Sequence, residues 1–302
     1  MTLQQLRDFL AVTEHGSFRA AARFQGVSQA GLTNSLKALE THLGTALLTR
    51  SGRGVQVTPA GELLKARARL IHAEAHRATV ELRALRDDQQ GPIQVGFSPT
   101  PSALLLPQVI PHFLALYPRA ELRIGDGLFE HLMPAVRQGQ LDFAVLSLPH
   151  AGLGGDVKAQ ALMQTAMVVV GRQGHPLAKA TRLQALAGQS WILMGPPGAP
   201  GGTVIRMFTE AGLAAPHIAV VCDSFIQVTA LMFESDYLAL LPRMVLERGL
   251  LGQHVVAIAV AETARSHDIA LVQRAEVPLT PMAGALASML LSCARSVGQL
   301  AR

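Results

Sequence analysis

The chain has 302 residues, 49% hydrophobic and 16% charged, which excludes a disordered or low-complexity protein and suits two or three domains with their own cores. Its 26 Lys+Arg against 21 Asp+Glu give a net charge of +5; residues 1–90 hold 12 and 8, and residues 91–302 hold 14 and 13, so +4 sits in the first third. That split points to a polyanion-binding head on a near-neutral body. The 2 cysteines, Cys222 and Cys293, are too few for a disulfide framework and wrongly spaced for a zinc cluster, which fits a reducing cytosol. The N-terminal run MTLQQLRDFL lacks the pattern of a secretory signal, six prolines break the uncharged stretch Gln89–Pro118, and Pro278 and Pro281 break Val277–Ala294. The expectation is a cytoplasmic protein with no membrane span.

Leu3, Leu6, Phe9, Leu10 and Val12 predict an amphipathic helix over residues 2–14, ended by His15-Gly16. Ser17 is placed to cap a second helix through Ala20, Ala21 and Phe24. After the turn Gly26-Val27-Ser28, a third helix from Gln29 to Leu43 would bury Leu32, Leu36, Leu39 and Leu43. It would turn Ala30, Thr33, Asn34, Lys37 and Thr41 outward, with Gln29 at the edge. A helix, a short turn and a second helix with small polar residues outward is the helix-turn-helix pattern. Thr33 and Asn34 are short enough to let a helix enter a major groove about 12 Å wide, where amides pair with adenine edges. Leu47 to Val57 reads as a basic hairpin, a wing with Arg50 and Arg53 at its tip to meet phosphates. Ser28 completes the expected DNA-contacting set.

These residues resemble the winged head of the LysR-type transcriptional regulators. The likeness runs through Leu6 and Phe9, Gly16-Ser17-Phe18, Ala20-Ala21 and Val27-Ser28-Gln29, then Leu32, Leu39-Glu40, Leu43-Gly44, Leu48, Arg50 and Thr58-Pro59-Ala60-Gly61. Ala30 stands where that family usually has proline, Gly31 where it has alanine, and Asn34 where a larger basic or amide residue is common. The base preference of relatives therefore does not carry over.

Thr58 and Pro59 open a long helix whose apolar positions Leu64, Ala68, Ile71, Ala75, Ala78, Leu82 and Leu85 alternate by four and three residues. That is a coiled-coil seam over three heptads, and it predicts a dimer. His72 and His76 lie four apart on it, but the order His-Ala-Glu-Ala-His is not a zinc-protease motif, and no metal is assigned.

From Gly91 the pattern changes to short strands alternating with helices. Strands are predicted at Ile93–Phe97, Glu121–Ile124, Leu141–Ser147 and Met167–Val170, then at Trp191–Met194, Ile218–Cys222, Leu238–Leu241, Val255–Val260 and Ile269–Gln273. Helices are predicted from Leu104 to Tyr117, near Leu128–Arg137, and from Thr280-Pro281 onward. This is an open α/β body of two lobes. It resembles the effector-binding part of the same family, which implies a two-lobed fold like that of periplasmic solute-binding proteins. The matching stretches are Leu132–Gly139 with Leu141-Asp142-Phe143-Ala144, and Val170-Gly171 through His175-Pro176-Leu177. Asp126–Phe129 and Val221–Phe225 are further similar to regulators of aromatic sulfonate degradation.

The expected organisation is a winged helix-turn-helix head at 1–58, a linker and dimerisation helix at 59–88, and an effector domain at 89–302. Lobe I would be 91–161 with 268–302, and lobe II 162–267, with crossovers at Gln164–Thr165 and Thr263–Ser266. Ligands of open α/β sheets bind beyond the carboxyl ends of strands, near helix N-termini. That places Ser98, Thr100, Ser102, Phe129 and Ser147 at a cleft, with Gly202, Thr203, Ser224 and Phe225 from the other lobe. Hydroxyls and free N–H groups there suit a small organic anion. No catalytic residues are assigned: Gly195–Thr203 lacks the lysine of a phosphate-binding loop, and no Gly-x-Ser-x-Gly elbow occurs. No cofactor is expected. The expected function is transcriptional regulation by a homodimer, or a tetramer of two such dimers, on double-stranded DNA. The alternative is a cytosolic small-molecule sensor or sequestering protein that binds no DNA.

Overall fold

The computed structural model describes residues 1–51, 54–84, 92–149, 152–197, 202–262 and 264–299. Two compact units divide them, the first built on Met1–Gln90 with Gln138–Gln140 and the second on Gly91–Arg137 and Leu141–Arg302.

The first unit runs α1 (Leu3–His15), α2 (Phe18–Gln25), α3 (Gln29–Leu43), β1 (Leu48–Ser51), β2 (Gly54–Val57) and α4 (Pro59–Ala84). Each of its first three helices starts on a side-chain cap and ends on a left-handed glycine. Thr2 and Gln5 form a reciprocal capping box, Ser17 accepts from the Ala20 N–H, and Ser28 from the Gly31 N–H. Phe9, Val12, Leu32, Leu36, Leu39 and Leu47 close the core over Ala21 and Ala22. Leu43, expected in the core, lies outside it, and so does Phe24. Phe24 is 72% exposed at the end of α2 and packs on the His15 ring at 4.4 Å, and Leu43 is exposed in the last turn of α3.

β1 and β2 pair antiparallel from Leu48↔Val57 to Ser51↔Gly54, which makes the wing. Glu40 of α3 anchors its base, accepting the Leu47 and Leu48 N–H groups at 2.7 and 3.1 Å. Thr58 caps α4 through the Gly61 N–H at 3.0 Å and donates to the Ala46 carbonyl at 2.8 Å. Gly61 passes so close to the wing that a Cβ there would lie 2.2 Å from the Leu47 carbonyl oxygen. The Thr-Pro-Ala-Gly run is thus the joint between wing and long helix.

The second unit begins with β3 (Ile93–Phe97), α5 (Pro99–Leu116), β4 (Leu122–Asp126), α6 (Phe129–Arg137), β5 (Phe143–Ser147) and β6 (Val157–Arg172). A 3-10 turn at Leu183–Leu186 leads to β7 (Ser190–Met194), α7 (Thr203–Glu210), β8 (His217–Cys222) and α8 (Phe225–Phe233). Then come β9 (Ala239–Pro242), α9 (Arg243–Glu247), β10 (Val255–Ile258), β11 (Ala264–Arg274) and α10 (Pro281–Gln299).

One sheet runs β10-β6-β11-β5-β3-β4, with β9 also paired to β6. The β3, β4 and β5 pairings are parallel, while β11 is antiparallel to both β5 and β6. β7 and β8 form a parallel pair joined to the strand at β9 through hydrogen bonds of Leu238 with Ser190 and Ile192. Helices α5 and α10 cover a first core around Phe97, Phe113, Phe143 and Leu290, and α7 covers another around Trp191, Leu193 and Phe208. β6 and β11 carry the chain between these two cores as long strands, not loops. The predicted crossover Gln164–Thr165 falls inside β6 and the last three residues of Thr263–Ser266 inside β11, Thr263 lying outside the described residues; the register slips between Ala264 and His267 and again between Ile269 and Ala270. The predicted strand Met167–Val170 is only the end of the 16-residue β6, because Lys158, Gln160, Gln164 and Thr165 hide the rest of its apolar alternation.

Candidate nucleic-acid interface and effector cleft

Ser28 is the N-cap of α3, its hydroxyl accepting the Gly31 N–H at 3.0 Å. Gln29, Ala30, Asn34 and Lys37 are exposed on one side of the helix, and Leu32, Leu36 and Leu39 are buried on the other. Thr33, half-buried, donates its hydroxyl to the Gln29 carbonyl at 2.8 Å. Arg50 pairs with Val55 in the wing; Arg53 lies outside the described residues. A buried acid absent from the sequence reading supports this helix. Asp8 of α1 is 5% exposed and accepts from Ser35 of α3 and, at 2.8 Å, from Gln4. Ser35 adjoins Asn34, so this bond fixes how far α3 rotates against α1. An aspartate at a helical core spacing reads as surface in a bare sequence, which is why it was missed.

The seven-position stripe of α4 divides. Leu64 and Ala68 do not belong to a free seam, because they pack with Leu6 and Leu10 of α1 inside their own unit. Ile71 at 38% and Leu82 at 63% are exposed, as is Ala78, and Ala75 is half-exposed. Leu85 lies outside the described residues. An apolar stripe that starts beyond the head is what a partner helix can use.

Within the second unit a cleft of about 680 Å³, part of it open solvent, lies at the strand ends. Ser98, Thr100, Phe129, Ser147 and Thr203 line it. Ser98, buried after β3, accepts the Ser147 N–H at 3.3 Å and donates its own N–H to the Val145 carbonyl at 2.9 Å. Its hydroxyl proton is left to be donated. Pro99 and Pro101 have no N–H, so Thr100 alone brings a backbone donor to the first turn of α5. The anion-binding power expected of that helix start is reduced accordingly.

The other wall is mostly apolar, with Met167, Ile192, Met194, Val204, Leu240 and Pro242. Thr203 and His267, 2% and 6% exposed, face each other at 2.7 Å from Oγ1 to Nε2. Arg206, one turn along α7, donates to the same Thr203 oxygen at 3.3 Å. Glu130 lines the cleft from the first turn of α6. Gly202 is the N-cap of α7 behind Thr203, so close to the chain that a Cβ would lie 1.7 Å from the Pro197 carbonyl oxygen.

Four expected cleft residues are not in its lining: Gly202, which stands just behind Thr203, and Ser102, Ser224 and Phe225. Ser102 donates its N–H to the Ser98 carbonyl inside α5. Ser224 stands at the N-cap of α8, and Phe225 packs against the core of Val228 and Met232. That start of α8 is thus turned to its own core. Glu130 and His267 were missed because neither carries a local motif; β11 sets His267 opposite Thr165, at the slip in register. Among the described residues, no group of three His, Cys, Asp or Glu is placed to hold a metal, and no helix is long and apolar enough to cross a membrane.

These two assemblies define a winged helix-turn-helix regulator with an α/β ligand-binding body, and comparison with known proteins agrees. Residues 3–62 match the family described as bacterial regulatory helix-turn-helix protein, lysR family, and residues 86–294 match the LysR substrate binding domain. The chain belongs to the LysR family of bacterial transcriptional regulators, proteins that are not enzymes.

A probable hydrogen peroxide-inducible genes activator of Streptomyces viridosporus is 35% identical over 61% of this chain and 61% of its own length. The chain thus spans under two thirds of that relative. The HTH-type transcriptional regulator GalR of Pseudomonas putida is 27% identical over 97% of this chain and 73% of that protein. The crystal structure of CbnR, a LysR family transcriptional regulator, superposes with a TM-score of 0.73 at 22% identity, covering 97% of this chain and 99% of that one. Full-length CbnR complexed with its target DNA gives 0.70 at 23%, covering 98% and 100%. These likenesses show the same fold.

Proposed function

We propose that this protein is a cytoplasmic, ligand-responsive transcription factor that binds a pseudo-palindromic operator as a homodimer, two of which pair into a tetramer. The outward face of α3, with Gln29, Asn34 and Lys37 exposed above a fully packed opposite face, carries this reading. Gln29, Thr33 and Asn34 read base edges, while Lys37, Arg50 and Arg53 meet phosphates. The exposed part of the α4 stripe, from Ile71 onward, pairs the chains. A small organic effector in the cleft shifts the balance between conformations of the assembly, and with it the spacing of the heads and the bend of the DNA.

The test is an electrophoretic mobility shift with the chain's own upstream region. Specific retention is expected, and Lys37→Ala should weaken binding to all sequences and lower the salt slope by about one. Absence of any retention, with the heads folded, would favour the alternative of a sensor that binds no DNA.

The peroxide response belongs to the name of the Streptomyces relative and is not carried into this reading. Burial pushes the Cys222 thiol up and Asp223 adds to it; burial also pushes the Cys293 thiol up, against a smaller opposite pull from Arg248. A peroxide-reactive cysteine needs the opposite shift.

A further inference from the structure

We infer that the effector is a dipolar ion, a small apolar molecule bearing one carboxylate and one ammonium group. The inference rests on the cleft being the effector site and adds the chemistry of what enters it.

The cleft has two poles. At one, Thr203 and His267 are nearly fully buried and 2.7 Å apart, and the Arg206 guanidinium, outside the lining itself, donates to the same threonine oxygen at 3.3 Å. The buried Nε of Arg206 has no acceptor among the described residues. This cation stands one turn from the positive end of α7, so an oxyanion arriving at Thr203 meets two favourable fields. At the other pole Glu130 is exposed to the cleft, and no described residue forms a hydrogen bond or ion pair with it. A simple acid would gain at the first pole and be repelled at the second; a simple amine would do the reverse. Between the poles Ile192, Met194 and Met167 offer an apolar surface without a donor or acceptor side chain stronger than a thioether. A molecule that satisfies all three regions has a carboxylate, an ammonium and a hydrocarbon side chain.

The protein carries its own reporter. Its single tryptophan, Trp191, is fully buried beside Ile192 in β7 and edge-on to Phe208 of α7, with centroids 5.6 Å apart. The full chain should be titrated with L-leucine, 4-methylpentanoate and 3-methylbutylamine, and with L-phenylalanine and its deaminated and decarboxylated counterparts. Tryptophan emission and calorimetry give the affinities. The amino acid of at least one set is expected to bind about ten-fold or more tighter than either counterpart, since a site built for a polar group rejects the analogue lacking it. Glu130→Gln should bring that amino acid down to the level of its deaminated acid, and Arg206→Met should weaken both.

Equal binding of acid and amino acid, with Glu130→Gln indifferent, would overturn the inference and leave Glu130 as a complement to the α6 dipole. Tightest binding of an amine, or no binding by any of the six compounds, would also overturn it. Met194→Trp, which fills the cleft, separates this from failure of the site itself. If an acid alone binds and Met194→Trp abolishes it in calorimetry, the cleft stands and the dipolar ligand falls. If ligands bind wild type and Met194→Trp equally, with operator binding intact as proof of folding, the cleft reading falls.

Discussion

In the head, the polar groups that shape the chain lie three residues from what they hold: Thr2 with Gln5, Ser17 with Ala20, Ser28 with Gly31, Thr58 with Gly61. In the body, the polar groups that meet at the cleft are far apart in sequence: Ser98 with Ser147 by 49 residues, Thr203 with His267 by 64. The head is built from short-range signals that any window of sequence contains. The body is built by strand pairing, which brings residues together only after β6 and β11 have found their register. The same division runs through the function: a DNA-reading helix is a local object, while a ligand site is a long-range one.

Three measurements can break or sharpen that comparison. The largest effect is expected from paired core truncations. Phe9 in the head and Phe97 in the body are both fully buried, and replacing either with alanine should cost about 3–5 kcal/mol. If the units are independently stable, calorimetry will show two transitions, with Phe9→Ala lowering one and Phe97→Ala the other. Loss of operator binding with intact ligand binding should accompany the first change only. A single transition moved equally by both variants would dissolve the contrast.

A middle-sized effect is expected at Asp8, whose bond to Ser35 spans 27 residues within the head. Asp8→Ala strips Ser35 and Gln4 of their buried acceptor and should cost about 1–3 kcal/mol in urea denaturation. Because Ser35 adjoins Asn34, operator affinity should fall more than affinity for random DNA. An equal fall in both would make Asp8 a plain packing residue.

The smallest effect concerns acid sensitivity of the body. The Arg137 guanidinium holds the Asp156 carboxyl below its ordinary 3.8, bonding at 2.7 Å, and the Leu183 N–H holds Glu262 below its ordinary 4.5. Acids with depressed values add stability that is complete above their unfolded values and is lost as pH falls through the folded ones. The body should therefore lose a little stability below about pH 4, and Asp156→Asn should remove part of that dependence. Asp156 is solvent-exposed, so its share is under about 1 kcal/mol. Thermal unfolding midpoints from pH 3 to 7 would register a larger share as a sharper acid limb.

Legibility followed the same line between near and far. Apolar spacing in α1 and α3 and the serine and threonine caps are visible without tertiary knowledge, because a helix meets its own next turn. Leu64 and Ala68 show where that reading stops: their spacing is the same whether the partner is another chain or α1. Phe24 of α2 is apolar yet exposed, while Ala21 and Ala22 of the same helix are buried, which apolar character alone does not tell. At the cleft, hydroxyls following strands pointed to Ser98, Thr100, Ser147 and Thr203, whereas the same rule misplaced Ser224 and Phe225. A strand end and a helix start say that a loop exists, not which way it faces.

The sequence by itself determined a basic winged head, a long apolar-striped helix and an α/β body, because hydrophobic period, caps and charge are short-range properties. Only the tertiary structure decided which apolar stripe is free, which hydroxyls share a cleft, and that a histidine and a glutamate line it while an arginine bonds to its threonine. Those facts depend on the register of β6 against β11, and register is set by the summed packing of side chains distant in the chain.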